Sequence, residues 1–67
     1  MTRYTLFDGS KPLKTLDNVN GLKLCALFYV ARGDRVLWDL AENEPAQVAL
    51  ERGYVNGKLR FCISILD

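Results

Sequence analysis

Residues 59 to 66, LRFCISIL, alternate in a pattern that only a β-strand uses well. A period of two puts Leu59, Phe61, Ile63 and Ile65 on one face and Arg60, Cys62 and Ser64 on the other. A strand needs neighbours, so the rest of the chain must supply further strands and something to cover the apolar face. Asn56-Gly57, just before it, is a turn signal.

A second strand is written in RYTLF, residues 3 to 7, rich in aromatic and β-branched side chains. Asp8-Gly9 then predicts a tight type I′ turn, with SKPLKTL as the returning arm. Pro12 has no N–H to donate, which confines that arm to a sheet edge. DNVNG, residues 17 to 21, reads as a loop, since three Asx residues and a glycine compete with regular structure.

The run Leu24 to Ala31 has no polar side, which argues against an amphipathic helix and for a strand. Gly33-Asp34 suits a type II′ turn, and RVLWDL, residues 35 to 40, would be the return strand. In that register Ala31 faces Val36, Tyr29 faces Trp38 and Leu27 faces Leu40, an all-apolar face. Arg32-Gly33-Asp34 is accordingly read as turn chemistry and not as an adhesion motif.

After this hairpin, Asn43 is a good N-cap and Pro45 fits a first helical turn. AQVALER has high helix propensity and Gly53 offers a stop, which predicts a helix over about 44–53. Ala46, Ala49 and Leu50 would face the sheet. The predicted fold is therefore α+β: a small, mostly antiparallel sheet of four or five strands with one short helix packed on one face. The alternative makes Val48 to Val55 a strand, paired through Asn56-Gly57 with the last one, in a small all-β barrel.

The 67 residues allow one domain, 1–67. A chain so short is marginal alone and often leans on a staple, a metal or a partner subunit. Staples and metals find little support here. Cys25 and Cys62 sit singly in apolar stretches and are expected to be reduced thiols. Histidine is absent, so His-based triads, Cys-His dyads and His metal ligands are excluded. No glycine-rich phosphate loop occurs. No catalytic residue, cofactor or metal is assigned, and the chain is read as non-enzymatic. No apolar run approaches the roughly 20 residues of a membrane span, and no export signal is visible, so the expected compartment is the cytoplasm.

A partner is the remaining support, and the chain is apolar enough to need one: 49% of its residues are hydrophobic. One short helix cannot cover the sheet, and uncovered apolar area on a small domain marks an interaction surface. The expected function is protein binding, as a stand-alone inhibitor or adaptor docking on a larger protein, or as a homodimer. Contact candidates are Phe28, Val30, Leu37 and Trp38, with the acidic group Asp39, Glu42 and Glu44.

Nucleic-acid binding is the alternative, through a sheet face and basic hairpin tips. Lys11, Lys14, Lys23, Arg32, Arg35, Lys58 and Arg60 would form its stripe. A net charge of only +1 speaks against it.

Overall fold

The computed structural model describes residues 2–41 and 50–66. Its strands are β1 (Tyr4–Asp8), β2 (Lys11–Leu16), β3 (Val36–Leu40), β4 (Glu51–Val55) and β5 (Lys58–Ile65). They form one antiparallel sheet in the order β2-β1-β5-β4-β3. The helix α1 (Val19–Ala26) runs on into a single 3₁₀ turn, Leu27–Tyr29. The fold is thus α+β, with five strands and one short helix among the described residues, and the sheet is open, not a closed barrel.

Both terminal strands lie in the middle of the sheet, with Leu6 of β1 opposite Ile63 of β5. The alternation explains β5 from Phe61 onward, with Phe61 and Ile63 fully buried under the helix. A register shift beside Gly53 leaves Leu59 exposed opposite Tyr54 and puts Arg60 over the Phe61 ring, so these two residues leave the faces expected of them. Leu6, Leu22 and Ala26 complete the buried core. Pro12 stands on an edge strand, where its missing N–H costs nothing. Asp8 pairs with Lys11, so the first hairpin turns on Gly9-Ser10 and not on Asp8-Gly9. Asn56 and Gly57, both at positive φ (51° and 83°), make the predicted turn between β4 and β5.

The helix is not where the sequence reading placed it. Glu51–Val55 is a strand, so a helix over 44–53 fails at its C-terminal end, while residues 42–49, with Ala46 and Ala49, lie outside the described residues. Leu50 sits in a bend, its N–H donating to Ile63 O at 2.6 Å. Gly53 is mid-strand and stops nothing. Its role is one of space: a Cβ there would lie 2.7 Å from the Trp38 ring and 3.0 Å from Phe61 Cβ. Trp38 lies over this bare backbone and stacks on Phe61 with ring centroids 6.1 Å apart.

The strand expected through the run Leu24 to Ala31 is likewise overturned, and with it the pairings of Ala31, Tyr29 and Leu27 with β3. β3 exists, but its partner is β4, with Trp38 opposite Gly53. The supposed loop DNVNG starts α1 instead. Asn18 is its N-cap, and the side-chain Oδ1 accepts from Gly21 N–H at 3.2 Å. Propensity lost here to capping and to a buried stripe: Leu22 and Ala26 are one turn apart and both fully buried.

Candidate functional site

The helix carries two apolar stripes. The inner one, Leu22 and Ala26 with the half-buried Cys25, packs on β2, β1 and β5. The outer one is Leu24, Leu27 and Phe28, spaced i, i+3, i+4 through the last helical turn and into the 3₁₀ turn. These three are 64%, 51% and 86% exposed. Tyr29 continues the patch with nearly half its surface in solvent. A helix apolar on both sides has no polar face to report it, which is why the run Leu24 to Ala31 resembles a strand on paper.

The end of this patch is anchored. Arg60 donates from Nε and Nη2 to the two carboxylate oxygens of Asp8, at 3.3 and 3.1 Å. The same Nη2 donates to the Tyr29 carbonyl oxygen at 2.8 Å. One guanidinium therefore joins β5, β1 and the 3₁₀ turn, a planar fork used on three acceptors. The chain then turns at Ala31–Asp34, with Asp34 N–H donating to Ala31 O at 3.0 Å and Gly33 at φ +94°. A positive φ at the third residue is the type II pattern, centred on Arg32-Gly33 and not the II′ turn on Gly33-Asp34. Turn chemistry is still what this tripeptide performs.

Charge is arranged along the strands. The turns at Gly9-Ser10, Arg32-Gly33 and Asn56-Gly57 all lie at the end of the sheet toward which α1 points. Lys11, Arg32, Arg35 and Lys58 are exposed at that same end of the sheet. Arg60 is committed to Asp8, and Lys23 to Glu51 of β4, at 2.6 Å with the carboxylate nearly buried.

The sequence-nominated contacts are dispersed. Phe28 is the most exposed large apolar side chain among the described residues, on the helix and not on a strand. Val30 is half-buried against the core. Leu37 and Asp39 do lie on the open face of the sheet, opposite Tyr54 and Arg52, and both are exposed. Trp38 points the other way, onto Gly53 and Phe61. Glu42 and Glu44 lie outside the described residues. Missed altogether were Leu24 and Leu27. The helix that carries them has a signal in the sequence: Asn18 as a cap, followed by Leu22, Cys25 and Ala26 at i, i+3, i+4.

Neither cysteine is paired, and no three His, Cys, Asp or Glu side chains gather to hold a metal among the described residues. The open face bears a shallow groove of about 420 Å³, with Thr5, Cys62 and Ser64 as its floor and Phe7 and Leu66 on its walls. Thr5 Oγ1 and Thr15 Oγ1 are 3.0 Å apart and satisfy one another beside it. No charged group lines the groove among the described residues. Among the described residues no helix is long and apolar enough to cross a membrane. No protein-family model, curated protein or solved structure matches this chain.

Proposed function

We propose that the chain is a small non-enzymatic protein-binding module, an inhibitor or adaptor, that docks on a larger protein through Leu24, Leu27 and Phe28. The observation that carries this reading is the 86% exposure of Phe28 beside two exposed leucines in helical register. Burying such residues would be favoured in a domain this small, so their exposure points to a partner. Residues spaced this way fit an apolar groove or a partner helix. The exposed Arg32, Arg35 and Lys58, at the end of the sheet toward which α1 points, favour a partner with an acidic rim. We assign the module to the cytoplasm, a reducing compartment that suits the thiols of Cys25 and Cys62.

The test is affinity capture from the source cells with the parent chain and a Leu24→Gln, Leu27→Gln, Phe28→Ser variant in parallel. A protein held by the parent and absent from the variant supports the reading; identical captures reject it. The nucleic-acid alternative has weaker support. Its hairpin tips do meet at one end, but two of its cations, Arg60 and Lys23, are engaged with Asp8 and Glu51. Binding to single strands that weakens steeply with salt would favour it.

A further inference from the structure

We propose that β3 pairs with the β3 of a second copy, antiparallel and in one register, so that two chains share a continuous sheet. This contact uses an edge separate from the α1 patch, and it stands independently of the docking reading.

The hydrogen-bond phase of β3 is fixed by its two ends. Asn56 N–H donates to Arg35 O at 2.8 Å and Ala41 N–H to Leu50 O at 3.0 Å. In an antiparallel ladder such pairs alternate, so Leu37 and Asp39 also direct their backbone groups to β4. Val36, Trp38 and Leu40 direct theirs outward, where no described strand pairs with them. The β3–β4 register has no bulge, so the outward groups keep one phase along this edge.

The two edges of the sheet differ. β2 carries Pro12 with exposed Lys11 and Lys14, the usual guards against strand addition. β3 carries one charge, Asp39, and no proline. Nor does Trp38 obstruct the approach, because its ring leans inward over Gly53 and Phe61.

A second β3 fits this edge in one way that uses all of it. With Trp38 on the two-fold axis, Trp38 faces Trp38 of the second copy, and Val36 faces its Leu40. Every outward N–H and C=O then finds a partner, and the helix side of the seam is wholly apolar. On the open side Leu37 faces Asp39 of the other chain, in a non-hydrogen-bonded pair where side chains approach most closely. Shifting the axis to Asp39 would set two carboxylates against one another and shorten the ladder.

That register sets a charge test at an exposed position. The full-length chain is sedimented to equilibrium across a concentration series, beside Leu37→Lys and Leu37→Asp. In the first variant each dimer would contain two contacts between an introduced ammonium and Asp39 of the other chain. In the second it would contain two pairs of facing carboxylates. The lysine variant is expected to dimerise about tenfold more tightly than the aspartate variant, with the parent between them. In the parent, hydrogen exchange at Val36, Trp38 and Leu40 should slow as concentration rises, while Leu37 and Asp39 hold steady. A monomer at every concentration overturns the proposal. So does a dimer indifferent to the charge introduced at Leu37, or one abolished by Phe28→Asp.

Discussion

Asn56 holds Asp34 across the end of the sheet: its Nδ2 donates to Asp34 Oδ1 at 3.0 Å, and its own Oδ1 accepts from Arg35 N–H at 3.0 Å. The other carboxylate oxygen of Asp34 accepts from Ala31 N–H, also at 3.0 Å. Both oxygens of the aspartate in the Arg-Gly-Asp tripeptide are thus occupied, and the β4–β5 turn is tied to the segment leading into β3. Asp34→Ala should cost about 1–2 kcal/mol in urea denaturation. Asn56→Ala should cost at least as much, because alanine must also take up the positive φ of that position. The double variant should fall short of the sum, since both substitutions break one network.

Gly53→Ala should be among the most damaging small substitutions in the described chain. The new methyl would lie within 3.0 Å of both the Trp38 ring and Phe61 Cβ, and the latter belongs to a fully buried residue. Displacing the ring or bending the strand should cost about 1–3 kcal/mol. Trp38 is the sole tryptophan, so its fluorescence reports the displacement directly. A loss of stability with unchanged emission would mean that the backbone moved and the ring stayed.

Lys23 and Glu51 form the ion pair that admits a carboxylate to the helix side of the sheet. Glu51 lies opposite Ile63 and Leu40, and its side chain keeps only 11% of its exposure. Lys23 also stands 5.8 Å from the Trp38 ring centroid, within reach of a cation–π contact. Lys23→Met should cost about 2 kcal/mol, because it strands a nearly buried charge. Adding Glu51→Leu should recover most of that loss. A double variant as unstable as Lys23→Met alone would show that the carboxylate has a further structural use.

The parts of this fold that could be read from sequence are those whose signals are local and unshared. Asn56-Gly57 and Pro12 each admit one physical interpretation and stand where expected, whereas the alternation of β5 holds only from Phe61 to Ile65. The register shift beside Gly53 sets the exposed Leu59 opposite Tyr54 and brings the Arg60 guanidinium over the Phe61 ring. The helix is masked, despite its Asn18 cap, because it strains the assumption behind periodicity that one side of a surface helix is polar. Leu24, Leu27 and Phe28 erase that side. AQVALER misled in the other direction, since Glu51 and Arg52 are good helix formers that sheet pairing with Ile63 and Cys62 overrides. Of the contact candidates, Phe28 is nominated by the second face of a hairpin that does not form, and its exposure comes instead from the 3₁₀ turn after α1; Leu24 and Leu27 are hidden by the same misreading.

The two stripes of α1 should separate cleanly under mutation. Leu22 is fully buried, and Leu22→Ala should cost about 2–4 kcal/mol by transfer and cavity terms together. Leu24→Gln, Leu27→Gln and Phe28→Ser change side chains that solvent already reaches. Each should move stability by no more than about 0.5 kcal/mol, and glutamine keeps most of leucine's helix propensity. The triple variant should also bind less of a dye such as ANS, which reports exposed apolar surface. If instead the triple variant unfolds as readily as Leu22→Ala, the outer stripe is part of the core's support and its exposure has no bearing on a partner. Thermal denaturation of the two variants side by side decides between a helix with one working face and a helix with two.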